Sequence, residues 1–242
     1  MGVFMNSLLE HIYTTKRVED SEGNLIDPFP AATPLTIGMF LGETIQKYHL
    51  KNTLEIGMAY GLSSLFICQA HQNVGSGQHI AIDPFQFKKW KSIGLLNIKR
   101  AGLEQKLKFF EDGSEKILPQ LYLQNEKIDF AFIDGSHLFD YTLVEFFYLD
   151  RLLNVGGYIV FDDIWMPSIR KVVSFVLRNR KYELIPVKIE KNFSILLGRI
   201  TRRFLQNPFD INDLKVKFIP DNVCLVKKIS DDKRQWNFHR SF

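Results

Sequence analysis

Cysteine is scarce. Only Cys68 and Cys224 occur, so no disulfide framework holds this chain together, and a reducing, cytoplasmic location is the expectation. Long apolar runs are also missing. No stretch of 18 or more apolar residues exists, which excludes a membrane-spanning helix. The opening residues MGVFMNSLLEHIYTT lack a basic n-region and a small-residue cleavage site, which argues against a secretory leader. Asn6 stands where an acylation pattern needs Ser or Thr. There is no repeat and no low-complexity segment. Charge of one sign is not in large excess, the formal net charge being +4 over 242 residues. The excess is uneven, however. Eight Lys/Arg face two Glu between Arg178 and Arg203, either as a solvated face or as a surface for an acidic substrate or an anionic membrane.

What is present is an ordinary globular composition, 45% hydrophobic and 24% charged, at a length that suits one α/β domain with appendages. Residues 1–50 read as an N-terminal appendage, with a Pro-rich loop over 22–34 and a helix starting at Pro34 with Thr33 as N-cap. Residues 51–190 read as the core and 191–242 as a lid helix, last strand and tail. In the core, strand-like runs alternate with helical ones. NTLEIG, QHIAIDP, KLKFFED, KIDFAFIDG, GGYIVFDD and YELIPVKI are separated by GLSSLFICQAHQ, FKKWKSIGLLNIKRAG, SEKILPQLYLQ, LFDYTLVEFFYLDRLL and SIRKVVSFVLRNR. Pro119 should bend or end the third of those helices. Such alternation implies a parallel sheet covered on both faces. Further on, Phe193, Leu196, Leu197, Ile200 and Phe204 fall at helical spacing, with Asn192 as N-cap and Pro208 as stop. Phe193, Leu196, Ile200 and Phe204 should then cover the core while Arg199, Arg202 and Arg203 face outward. A strand over FSILLGRI is the competing reading. NVCLVKKI would be the final strand.

Polar strand ends carry the functional signal, because ligands of open α/β sheets bind beyond the carboxyl ends of the strands. TLEIGMAYGLSS is a strand, a turn and a helix start. Gly57 and Gly61 let the backbone approach a ligand, although the full dinucleotide fingerprint and a Walker Lys are lacking. Asp83 ends the next strand, where a carboxylate can accept from ribose hydroxyls. Asp112 ends the third strand. It could accept from an exocyclic amine, with the Gly113–Ser114 backbone beside the base, or it could cap the following helix.

These residues together resemble the class I S-adenosylmethionine-dependent methyltransferases. The run FIDGSHLFDYTLVEFFYLDRLLNVGGYIVFDD is similar to the macrocin-type and cephalosporin-hydroxylase-like branch, and is akin to the catechol-type metal-dependent O-methyltransferases. The tail DDKRQWNFHRSF looks like the end of some members of that branch. The resemblance spans about residues 50–180. It implies a Rossmann-like, doubly wound sheet of seven mostly parallel strands with the last antiparallel. It also implies that Glu55, Gly57 and Gly61, with Ala59 and Ser63 in the same turn, line the methionine part of S-adenosylmethionine. Asp83 would hold the ribose and Asp112, Gly113 and Ser114 the adenine, with Asp134 also at the cofactor. Ala59 departs from the commoner glycine at the middle of the turn.

The ends of the fourth and fifth strands add three carboxylates. Neighbouring parallel strands bring Asp134 beside Asp162 and Asp163, and such a group would be partly protonated unless a cation sat among it. Hard oxygen donors favour Mg2+ or another divalent cation. The metal-dependent relatives use an Asp and then an Asp-Asn or Asp-Asp pair at a similar offset. The alternative is that Asp134 and Asp162 cap helices and meet substrate directly. His137 stands where the catechol-type relatives place a catalytic Lys, and a neutral imidazole there can act as general base.

The expected activity is O-methylation of a small molecule or sugar. Three other readings compete. True hydroxylation would require a two-His-one-carboxylate iron site. A non-catalytic cofactor-binding or membrane-docking module would use Arg199, Arg202 and Arg203. Nucleic-acid methylation is disfavoured, because DGSH replaces the amino-methylating signature after the fourth strand. Self-association is left open.

Overall fold

In the computed structural model, the first five strand runs of the core each end where a carboxylate or glycine follows (Gly57, Asp83, Glu111, Asp134 and Asp162), and this places the polar residues at strand ends. Described are residues 5–29, 31–187, 189 and 192–242; the start of the acylation reading (Met1–Phe4), Pro30 of the Pro-rich loop and Lys188 of the expected 182–189 strand lie outside them. The order is α1 (Ser7–Thr15), a short hairpin of β1 (Val18–Glu19) and β2 (Leu25–Ile26), α2 (Leu35–Tyr48), β3 (Asn52–Ile56), α3 (Leu62–Val74), β4 (Gln78–Ile82), α4 (Ile93–Arg100), a 3-10 turn, β5 (Leu107–Phe110), α5 (Ser114–Leu123), β6 (Ile128–Ile133), α6 (Phe139–Leu152), β7 (Leu153–Phe161), α7 (Pro167–Asn179), β8 (Tyr182–Ile185), α8 (Phe193–Gln206), α9 (Leu214–Lys217) and β9 (Cys224–Lys228). The large sheet has seven strands in the order β5-β4-β3-β6-β7-β9-β8. The last strand in sequence, β9, is antiparallel to both β7 and β8, and the pairs β3–β4, β4–β5 and β6–β7 are parallel. This is the expected Rossmann-like α/β architecture.

Two compact units divide the chain, one up to Ile117 and one from Leu118 onward. In the first, α1 is capped by Asn6, whose side chain accepts from Leu9 N at 2.9 Å. Leu9 packs with Leu65, Phe66, Cys68 and Ala81, so the N-terminal helix joins the core of the first unit. A buried polar chain starts from β3. Thr53 Oγ1 meets His71 Nε2 at 2.8 Å and His79 Nδ1 at 2.9 Å, and His79 Nε2 lies 3.3 Å from Glu55 Oε1. Burial pushes the His71 pKa down to about 3, because no solvent is there to stabilise the imidazolium.

Several local expectations change. Pro34, not Thr33, is the N-cap of α2, and it makes no side-chain cap bond; Thr33 instead offers its carbonyl to Tyr13 Oη at 2.6 Å. The expected helix over 87–102 forms only from Ile93, because Lys91 and Ser92 both take positive φ, which breaks a right-handed helix. Of the two effects expected of Pro119, ending the helix does not occur, since α5 continues to Leu123.

The second unit holds the larger correction. Residues 193–206 are helix, as their spacing predicts, and Asn192 caps it by accepting from Ser194 N at 3.0 Å. The faces differ from expectation, though. Phe193 is 75% exposed, while Arg203 is 1% exposed. The Arg203 guanidinium donates to the carbonyls of Ile219 and Asp221, in the connection that leads into β9. Pairing also explains much of the basic run. Arg180 lies 3.6 Å from Asp150 and also pairs with Asp232, and Arg199 lies 3.5 Å from Asp221. Arg203→Met keeps the bulk and removes the donors, leaving two carbonyls short of partners, so unfolding free energy should fall by about 2–4 kcal/mol. Urea denaturation checks this; a change within error would mean that water replaces the guanidinium.

Candidate functional site

The first unit builds a turn at the end of β3. Gly57 and Gly61 take φ +91° and +77°, and Ala59 between them takes +45°. The Asp83 carboxylate shapes the turn from the end of β4. Its Oδ2 accepts from Met58 N at 3.1 Å and Ala59 N at 2.8 Å, and its Oδ1 accepts from Phe85 N at 2.8 Å. Asp83 is buried, so its first task is to hold these backbone donors; a lone pair on Oδ1 remains for a ligand hydroxyl. Nothing in the sequence singles out Gln86. Its Nε2 donates to Ala59 O at 2.6 Å, and its buried Oε1 has no protein donor. An acceptor without a donor beside a tight glycine turn fits a hydroxyl-bearing ligand such as a nucleoside. Ser63 is buried in the first turn of α3.

Glu55 is placed otherwise than expected. It is fully buried, accepts from Ser64 Oγ, and faces His79 instead of lining the turn. β3 is buried from Thr53 to Ile56 on both faces, and Glu55, two residues after Thr53, shares the face of that buried polar group. Asp112 accepts from Gly113 N at 2.7 Å and from Lys116 Nζ at 2.8 Å, and that lysine bond holds its carboxyl below the usual range. Ser114 is buried beside it as the first residue of α5.

In the second unit, Ile133 and Phe161 are in register, so the residues after them leave the sheet side by side. Asp134, His137 and Asp163 come together there, one ligand atom from each lying within 4.8 Å of the others. His137 Nε2 is 3.8 Å from Asp134 Oδ1 and 3.5 Å from Asp163 Oδ2. Asp162 does not join this group. It continues the strand, donating its N–H to Ile133 O at 3.1 Å, and its carboxylate is turned back to accept from Asp163 N at 2.7 Å. Burial, with the Asp163 charge second, pushes the Asp162 carboxyl up to about 7. The chain then turns sharply at Asp163, φ +51°, and this swings its side chain toward His137, itself at φ +58°. Non-glycine residues in this region cost about 1–3 kcal/mol each and persist where the surroundings over-determine them.

Those surroundings are visible. Trp165 Nε1 donates to Asp163 Oδ1 at 2.8 Å, which leaves Oδ2 toward His137. Buried Arg170 donates to Trp165 O at 2.7 Å and Ile164 O at 3.3 Å, and Ser168 Oγ donates to His137 O at 2.7 Å. Arg202 of α8 lies over the Trp165 ring at 5.5 Å. Neither Trp165 nor Ser168 announces itself in sequence, because nothing in IWMPS marks an indole as a carboxylate partner.

Comparisons with known proteins give the family. A family model described as a methyltransferase domain matches residues 54–164. A putative caffeoyl-CoA O-methyltransferase of Arabidopsis thaliana is 31% identical over 165 residues, covering 67% of this chain and 68% of the relative. A flavonoid 3',5'-methyltransferase of Vitis vinifera is 29% identical over 142 residues, covering 57% of this chain and 58% of its own length. Among solved structures, an O-methyltransferase from Bacillus cereus in complex with S-adenosylhomocysteine superposes with a TM-score of 0.60 at 21% identity, over 74% of this chain and 83% of that one. The O-methyltransferase of tomaymycin synthesis from Streptomyces achromogenes, solved with S-adenosylmethionine, gives 0.64 at 16% identity, over 93% and 91%. No helix among the described residues is long and apolar enough to cross a membrane. With a relative above 30% identity matched over two thirds of both chains, this protein belongs to the S-adenosylmethionine-dependent O-methyltransferases of the caffeoyl-CoA O-methyltransferase-like family.

Proposed function

We propose that the chain methylates a hydroxyl of a small molecule with help from a divalent cation held by Asp134 and Asp163, and that His137 receives the proton of that hydroxyl. The observation that carries this reading is the convergence of two carboxylates and one imidazole within 4.8 Å. Two partly exposed carboxylates so close repel unless a cation neutralises them, and their hard oxygens suit Mg2+ or Mn2+. When bound, the cation would lower the acceptor's pKa and S-adenosylmethionine would supply an electrophilic methyl group. The protein's own work is then positioning. Trp165 fixes the Asp163 rotamer, Arg170 and Ser168 brace the loops, and His137 Nε2 takes the proton. Asp162, turned inward, supports the Asp163 backbone instead of ligating.

In the first unit, Gly57, Ala59, Gly61 and Ser63 would cradle the methionine portion. Asp83 Oδ1 would take the ribose, and Asp112 with Gly113 and Ser114 would face the adenine. The acceptor class follows two leads. By the resemblance of the sequence, Asp162–Asp163 is similar to the pair of the sugar-modifying branch, and the plant relatives are named for caffeoyl-CoA and flavonoids.

Thermal unfolding with S-adenosylhomocysteine, with and without Mn2+, tests the binding half. Each ligand should raise the midpoint by itself, and Asp163→Asn should lose only the Mn2+ response. Product mass spectrometry on sugars and phenols then assigns the acceptor. A Mn2+ shift that survives Asp163→Asn would remove the cation from this site.

A further inference from the structure

The tail and part of the basic run meet at a cavity that methyl transfer does not use. It measures about 400 Å3 and is lined by α7, α9, the connection before α9 and the tail. That volume falls in the roughly 300–1,000 Å3 range of small-molecule sites. Three cations line it from three separate segments: Arg178 of α7, Lys215 of α9 and Arg240 of the tail. Among the described residues, no carboxylate lines it.

The acids nearest in sequence are already engaged. Asp210 pairs with Lys171 and accepts from Asn212 N at 3.0 Å, and Asp213 lies 3.0 Å from Lys217 and 3.7 Å from Arg170. Lys215 and Arg240 have no acid partner among the described residues. Apart from Ser174 and Asn212 the rest of the wall is apolar, with Leu177, Ile211, Leu214 and Val216, and Ile211 is 71% exposed.

The tail is fastened in place instead of trailing. Buried Asn179 donates its Nδ2 to Arg240 O at 2.8 Å and accepts from Arg240 N at 3.0 Å. Arg178 Nε donates to Ser241 O, Lys171 Nζ to Phe242 O at 3.0 Å, and the Phe242 ring packs on Phe175 at 5.0 Å. A buried amide thus grips the backbone of one particular arginine, a residue that lines the cavity and has no acid partner among the described residues. Like charges gathered without counter-charge raise the free energy of the empty site, and an anion relieves it. Arginine forks match phosphate oxygens in geometry, and a lysine adds a point charge.

We propose that this cavity binds a phosphate monoester carried on an apolar body, the phosphate on Arg178, Lys215 and Arg240 and the body on Leu177, Ile211 and Leu214. The same chemistry is offered by a free phosphorylated small molecule and by a lipid headgroup with its chain.

Isothermal titration of the full chain with octyl phosphate is the test, with inorganic phosphate as head alone and octyl glucoside as an uncharged tail. Octyl phosphate should saturate one site at least about tenfold more tightly than either, and lose about tenfold or more in Lys215→Glu/Arg240→Glu, as charge-assisted bonds require. That double variant should keep its methyl-transfer rate, since neither residue belongs to the proposed machinery, and this also reports that it folds; if it does not, Lys215→Gln and Arg240→Gln singly take its place. Co-sedimentation with phosphatidylcholine vesicles carrying phosphatidate would assign the source to a lipid surface. Octyl phosphate binding without co-sedimentation would assign it to a free molecule. Equal affinity for octyl glucoside, or unchanged affinity in the charge variants, overturns the proposal and leaves a solvated basic face.

Discussion

His137→Ala is expected to cut turnover by about 10²–10⁴, the range that a positioned general base contributes, while leaving S-adenosylhomocysteine affinity nearly intact. The geometry sharpens this expectation beyond what the chain position suggests. His137 Nε2 sits 3.8 Å from Asp134 and 3.5 Å from Asp163, so an imidazole there could ligate a cation as readily as accept a proton. The two roles separate by measurement. A base can be removed without loss of Mn2+ affinity, whereas a ligand cannot. Titration of Mn2+ into the variant should therefore match the parent chain, with the whole deficit in turnover. If Mn2+ affinity falls with turnover, His137 is a ligand. If neither falls between about pH 6 and 8, the carboxylates and cation suffice without a protein base.

Gly61→Ala should be the most damaging small substitution in the first unit. A Cβ at position 61 would lie 2.9 Å from Gly94 Cα and 2.9 Å from Gly94 O, both backbone atoms that cannot rotate away. The residue is also at φ +77°, which an L side chain disfavours by about 1–2 kcal/mol. Overpacking typically adds about 1–3 kcal/mol, so a total loss of about 2–5 kcal/mol is expected, with S-adenosylhomocysteine affinity falling in the same variant because the turn must move. Chemical denaturation and calorimetry read the two effects. A stable variant with unchanged affinity would show that the Gly61–Gly94 contact yields freely. The sequence reading assigned this glycine to ligand approach. The structure shows a second cause, the start of α4 pressed against the turn, which local pattern cannot reveal because Gly94 is 33 residues away.

The division between sequence and fold runs along contact distance. Strand and helix alternation, the antiparallel last strand and the position of polar residues at strand ends followed from the chain alone, or from its resemblance to known methyltransferases, because buried parallel strands must be apolar and helices must present a stripe. The helix over 193–206 was legible for the same reason. Its inward residue was not: Arg203 is buried because two carbonyls in the connection before β9 need donors, a long-range matter. Sequence likewise brought Asp134 near the Asp162–Asp163 pair, but only the turn at Asp163 decided which of the two carboxylates faces His137. Glu55 looked like a turn residue and is a core residue, held by Ser64 and His79 from α3 and β4. Residue type and spacing tell which groups reach a sheet edge. Which way each side chain points there depends on backbone dihedrals and on donors supplied from distant segments, and those exist only once the chain has folded.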